Sequence, residues 1–417
     1  MKIAFLASRK GFLKVVGSLI QATLERGHEA VLLRDPGEQK PGEVTTEEDL
    51  RHWAAARVVD HRWGKTILPL LQRERVEALV GPSVHFVLKA LGPAQDLAGA
   101  SAAGVRLYSV DYALETLTSD AEAYRVIDTT FYATGYERQL HWQLQAADFE
   151  LVARDVSLEE RSAVSGSTML DQLALVDRAA VRRRLRLAPD RPIVLLMSLK
   201  MAVPEPWRRH VWGGGPRLAR MARAVASGQG ALVPAIWKGN GYRRLAMSLR
   251  DFSRRTGAAL VVKSRAKNRD PRFLRRSADL FVESDDGVFP YTSIELMAIA
   301  DLCVHFQSGA VLEAVRAGVP SVSVRVPQSH LDEYPGHEEI FGGREGSLQR
   351  WAGVVWSMEH DEAPSRFAGL TLADFKIDPE ARGRYIERFV GFDDARCSER
   401  VLDVIERKAS RAATRPG

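Results

Sequence analysis

The residues best suited to chemistry lie between His305 and Arg325. An apolar, strand-like run, LCVHFQ, meets Ser308, Gly309 and Ala310, and a helical pattern follows with Glu313 one turn in. A small-residue turn that opens a helix presents unpaired N–H groups and the positive end of the helix dipole, which suits a phosphate. Glu313 then comes within reach of a ribose hydroxyl. The same string also fits an ordinary strand–turn–helix connection, so its neighbours decide the matter. Lys263 and Arg265 close the run ALVVKSR, and an ammonium beside a forked guanidinium suits a diphosphate. Lys267 and Arg269, just beyond, read as a solvated basic loop. Ser198 and Lys200 close IVLLMSLK in the same way. Val288, Phe289 and Pro290 form an apolar turn before Tyr291. Its backbone can pair with a base edge, while Phe289 and Tyr291 suit base packing and core packing equally.

These residues need a scaffold that brings strand ends together. Apolar runs at 2–8, 28–34, 76–83 and 105–113 alternate with helical patterns, and 149–157 and 162–170 read as the last strands of a first domain. A second series follows at 193–199, 231–237, 259–265, 279–284, 302–307 and 319–326. Alternation of this kind predicts parallel sheets with helices on both faces, that is, an α/β chain of two Rossmann-like domains. The Pro-Asp-Arg-Pro turn at 189–192 marks the fresh start. The expected domains are 1–172, 173–390 and a helical, basic tail at 391–417 that crosses back to the first domain. Tandem domains of this type face each other across a cleft, where ligands meet the C-terminal strand ends. The first-domain loops 7–12, 81–86 and 109–113 then supply a base for an acceptor hydroxyl. His85 and Asp111 are the candidates, with His61 behind them.

Composition narrows the classes. With 45% hydrophobic and 27% charged residues, the chain is ordinary folded protein rather than disordered. A net charge of +6 fits an acidic ligand or an anionic surface, but the basic residues are scattered without an aromatic–basic module, so nucleic acid is not expected. Two cysteines make neither a disulfide framework nor a zinc site, and a reducing cytoplasm is the expected compartment. No apolar run approaches the roughly 18 residues of a membrane span, so any membrane contact is peripheral, at the inner face. HExxH, paired CxxC, GxSxG and Walker A patterns are absent, and Asp285-Asp286 reads as a solvated turn, so no metal site is expected.

The segments KSR (263–265), 288–325 and FVGFDDARCSERVLDVIE (389–406) resemble the nucleotide-binding half of GT-B glycosyltransferases of the bacterial surface-polysaccharide type. That group is related to UDP-N-acetylglucosamine 2-epimerases and CDP-glycerol glycerophosphotransferases. The resemblance implies that Val288–Phe289 meets the base, Ser308–Gly309–Ala310 holds the diphosphate and Glu313 binds the ribose. It covers about 140 residues well and the first half in outline. Where the epimerases show Asp-Ser-Gly-Gly and a Glu-Glu pair, this chain has Gln307-Ser308-Gly309-Ala310 and Glu313-Ala314. The implied activity is metal-independent transfer of a sugar from a nucleoside-diphosphate donor to a saccharide or lipid-linked acceptor, with no cofactor. The alternatives are a 2-epimerase, a CDP-polyol phosphotransferase and an inactive nucleotide-sugar-binding protein.

Overall fold

The computed structural model describes residues 1–37, 44–63, 65–92, 103–111, 117, 119–198, 206–211, 216–238, 241–264, 270–283, 287–326, 336–340 and 342–413. The chain divides into two compact units. Unit 1 comprises Met1–Val176, Asp285–Glu295 and Ile386–Gly417, and unit 2 comprises Asp177–Ser284 and Leu296–Tyr385.

Unit 1 is built on a seven-stranded parallel sheet: β1 (Lys2–Leu6), β2 (Glu29–Arg34), β3 (Arg57–Asp60), β4 (Ala78–Gly81), β5 (Arg106–Ser109), β6 (Thr129–Tyr132) and β7 (Ser162–Val164), in the order β3-β2-β1-β4-β5-β6-β7. The period of two along β1 separates two cores. Ile3 and Phe5 join Leu13, Val16 and Ile20 of the Lys10–Glu25 helix and Val401, Leu402 and Ile405 of the Cys397–Ala413 helix. Ala4 and Leu6 face the opposite side with Leu71, Val84 and Val87. Burial on both faces is why the strand reads as an unbroken apolar run.

Unit 2 repeats the plan with β8 (Ile193–Met197), β9 (Ala259–Lys263), β10 (Leu280–Val282), β11 (Leu302–His305), β12 (Ser321–Arg325) and β13 (Val355–Glu359). All pair in parallel in the order β10-β9-β8-β11-β12-β13. Both orders reverse direction once, between β1 and β4 and between β8 and β11. Each unit is therefore a Rossmann-like doubly wound α/β layer structure, with one switch point at which strand ends leave space for a ligand.

Two expected strands are helices. ALVPAIW folds as a short turn, Gly230–Leu232, and the helix Val233–Lys238. Pro234 lies in the first turn of that helix, where a missing N–H costs nothing, whereas inside a sheet it would remove a ladder bond. FELVARDVS begins inside the helix Ala146–Val152, because Phe149 and Val152 are buried at a spacing of three while Leu151 points outward. The strands at 57–60, 129–132 and 355–359 are additional to those expected.

Candidate functional site

The C-terminal ends of β8, β9 and β11 meet at the switch point of unit 2. Ser198 follows β8, and its N–H donates to the Lys263 carbonyl at 2.9 Å, which ties the ends of β8 and β9 together. Lys263 is the last residue of β9 and is buried, with Nζ donating to the Ser264 carbonyl at 2.6 Å. The Ser308–Ala310 turn follows β11 on the other side of β8. The hydroxyls of Ser198 and Ser308 are buried and have no hydrogen-bond partner. A buried hydroxyl without a partner is uncommon and calls for an explanation, and a bound ligand is one. Among the described residues, no group accepts from the N–H of Gly309 or Ala310.

The turn is held in shape by side chains that the sequence did not single out. Gln307 has a left-handed backbone (φ 37°), and its Oε1 accepts from the Val326 N–H at 3.1 Å. The Ser308 N–H donates to His305 Nδ1 at 3.4 Å, so the proton of His305 sits on Nε2 and is donated to Ser321 Oγ at 2.9 Å. Full burial lowers the His305 pKa to about 3, which keeps the ring neutral and this tautomer fixed. Gln349 Nε2 donates to the Ser308 carbonyl at 3.5 Å, and Gln349 Oε1 accepts from Ser323 Oγ at 2.8 Å. Ser321 and Ser323 alternate with Val322 on β12, and all three are fully buried. Hydroxyls at that period inside an otherwise apolar strand were the available signal.

Glu313 is buried in the helix Ala310–Arg316, close enough to Cys303 that its charge adds to burial in raising the thiol pKa. Arg382 satisfies the far end of this helix, donating to the Val315 and Arg316 carbonyls. Lys200 and Arg265 lie outside the described residues, as do Lys267, Arg269, Asp285, Asp286 and Gly213–Gly215.

Val288, Phe289 and Tyr291 are placed in unit 1. Val288 joins the core under the Lys10–Glu25 helix. The Phe289 ring lies 5.1 Å from Trp53 and 4.7 Å from His52. Gly17 makes room for it, since a Cβ there would stand 2.8 Å from Phe289 Cδ2. The Tyr291 N–H donates to Gln172 Oε1 at 2.8 Å, and Gln172 Nε2 donates to the Lys14 carbonyl at 2.7 Å. Packing within unit 1 thus accounts for Phe289.

In unit 1, Asp111 is buried just beyond β5. Beside its carboxyl is that of Glu137, which is also buried. Burial, and then the Asp111 charge, raise the Glu137 pKa well above the usual carboxylate range. Glu137 Oε2 accepts from the Ala133 N–H at 2.9 Å, and its own N–H donates to Thr134 Oγ1 at 2.9 Å. Two adjacent buried carboxyls, one of them pushed toward its protonated form, can act as acid and base. His85 is exposed in the first turn of the Val84–Leu91 helix. His61 is enclosed, with Nε2 at 2.9 Å from Ser8 Oγ, and burial lowers its pKa. Among the described residues, no group of three or more His, Cys, Asp or Glu is placed to hold a metal ion.

No family model and no curated protein matches the sequence. Solved structures do match the fold. The UDP-GlcNAc 2-epimerase of Methanocaldococcus jannaschii superposes with a TM-score of 0.58 at 12% identity, covering 98% of this chain and 100% of that one. MnaA of S. aureus, solved with UDP, gives 0.56 at 13% identity, covering 100% and 99%. The wall teichoic acid polymerase TagF gives 0.56 at 9% identity, covering 99% and 90%. The chain therefore has the GT-B-like fold of two Rossmann-like domains that these enzymes share.

Proposed function

We propose that this chain is an enzyme acting on a nucleoside-diphosphate sugar. It would hold the diphosphate at the switch point of unit 2 and pass the sugar to a hydroxyl of a saccharide or lipid-linked acceptor in surface-polysaccharide or glycoconjugate assembly. The observation that carries this reading is the convergence of the Lys263 ammonium, two unpartnered buried hydroxyls and a helix-opening turn on three adjacent strand ends. The fold likeness to proteins whose structures hold UDP or UDP-GlcNAc supports it. Negative charge grows on the diphosphate as the glycosidic C–O bond breaks, and Lys263 and the turn N–H groups would stabilise it. The acceptor oxygen forms the new bond and gives its proton to a base in unit 1. Asp111 suits that role because it is buried beside the Glu137 carboxyl, whose pKa is raised by burial and by the Asp111 charge.

The same carboxyl pair favours one second reading, a 2-epimerase, in which the base takes a proton from the sugar carbon instead. Two measurements test both readings. Calorimetry should detect saturable binding of UDP, GDP or CDP, and absence of binding to all three overturns the donor site. Incubating the matching sugar nucleotide in heavy water without acceptor then separates them: deuterium at C2 assigns an epimerase, while acceptor-dependent release of the nucleoside diphosphate assigns a transferase.

A further inference from the structure

Among the described residues eight large apolar side chains are exposed, and four of them, Leu218, Val225, Trp237 and Met247, fall within 30 positions in unit 2. They sit on the consecutive helices Arg217–Ala226, Val233–Lys238 and Gly241–Arg255. The first of these helices buries Ala224 and packs Met221 on the core, yet also carries an apolar line on its outer face. Leu218, Ala222 and Val225, spaced i, i+4, i+7, form one line that faces solvent, with Leu218 70% and Val225 60% exposed. Its inward face carries Arg220, which is buried and donates to the carbonyls of His210 and Val211.

Charge surrounds this apolar line. Residues 217–255 hold nine of the chain's 59 basic residues and one of its 53 acidic ones, Asp251. Without that segment the chain would have 50 basic and 52 acidic residues, so the whole positive excess lies here. Arg217, Arg220, Arg243, Arg244 and Arg255 line a cavity of about 620 Å3 together with Met247 and Asp251. The Arg217 guanidinium stands 5.8 Å from the ring centre of Trp237, itself 60% exposed. No helix among the described residues is long and apolar enough to cross a membrane.

The geometry points to a peripheral membrane-docking face formed by these three helices, whose ligand is an anionic phospholipid surface. Leu218, Val225, Trp237 and Met247 would enter the boundary between headgroups and acyl chains, and the arginines would meet headgroup phosphates. A soluble polyanion would use the arginines but gain nothing from an outward Leu–Val line. A second copy of the chain would set arginine against arginine if the face paired with itself. The face is independent of the nucleotide reading, since none of its residues belongs to the proposed donor site.

The test is co-sedimentation of the full chain with vesicles of phosphatidylcholine alone and of phosphatidylcholine mixed with phosphatidylglycerol. Binding is expected only to the mixed vesicles and should weaken as salt rises. Arg243→Glu with Arg244→Glu should lower the partition coefficient roughly tenfold or more. Leu218→Ser with Trp237→Ser should also lower it severalfold, while calorimetric nucleotide binding and the melting temperature stay at wild-type values. Equal binding to both vesicle types, or vesicle binding indifferent to Leu218→Ser with Trp237→Ser, overturns the proposal. So does binding to heparin without binding to vesicles, which assigns a soluble polyanion. Dimerisation in light scattering that the Leu218 and Trp237 changes abolish also overturns it, by assigning a second copy.

Discussion

Replacing Lys263 by methionine separates binding from folding. The side chain is buried at the end of β9, and its ammonium makes a 2.6 Å hydrogen bond to the Ser264 carbonyl. Methionine keeps most of the length and removes the charge. Folding loses the hydrogen bond to the Ser264 carbonyl, about 1 kcal/mol, but is also relieved of keeping a buried ammonium out of water. Unfolding free energy should therefore stay within about 1 kcal/mol of wild type. A diphosphate on these strand ends loses a charge-assisted contact worth about 1.5–3 kcal/mol, which is about ten- to a hundredfold in Kd. Calorimetric titration with UDP, paired with urea unfolding of the same preparation, measures both quantities. Lys263→Arg keeps the charge and should recover part of the affinity. A Kd for UDP within about twofold of wild type in a stably folded Lys263→Met protein would refute the assignment of this strand edge to the diphosphate.

Two further outcomes follow from unit 1. The Glu137 pKa is raised on folding, so its contribution to stability is complete below its unfolded value near 4.5 and is lost as pH rises toward the folded value. Thermal denaturation of Glu137→Gln from pH 4.5 upward should show a flatter decline than wild type, the difference in slope reaching at most about 1.4 kcal/mol per pH unit. Parallel curves would mean that Glu137 does not hold its proton. Gly17→Val should destabilise unit 1 by about 1–3 kcal/mol in urea unfolding, because its Cβ would stand 2.8 Å from Phe289 and 3.1 Å from Trp53. Adding Phe289→Leu should restore part of that loss, and purely additive effects would show that the two positions do not touch.

The strands that carry the residues proposed to hold the diphosphate were legible because physics leaves few options. The strands β8, β9 and β11 are buried along their length, and their runs are mostly Val, Leu and Ile, as burial on both faces favours. Β6 was not legible, since Thr129 and Thr130 look like surface residues yet are fully buried. The Ser308–Glu313 turn was legible from small residues ahead of a helical period. Its supports were not: Gln349 reaches Ser308 from 41 positions away, and Ser321 meets His305 only once two strands pair. Glu137 was hidden by its local pattern, because a threonine three residues before a glutamate reads as a helix cap. Only burial beside Asp111 distinguishes it. Phe289 was ambiguous for the same reason at longer range, its partners lying more than 200 positions back.

Asp171 and Gln172 fasten three stretches of chain that are far apart in sequence. Gln172 joins the Lys10–Glu25 helix to Tyr291, and Asp171 accepts from the N–H groups of Cys397 and Ser398 at the start of the last helix. Chain order and domain order therefore disagree during synthesis. Unit 2 begins at residue 177 and has all its residues by Tyr385, whereas the Ile3–Phe5 side of unit 1 awaits Val401, Leu402 and Ile405. The half that leaves the ribosome first is completed last, and until then the Ile3–Phe5 side of its sheet lacks the helix that covers it.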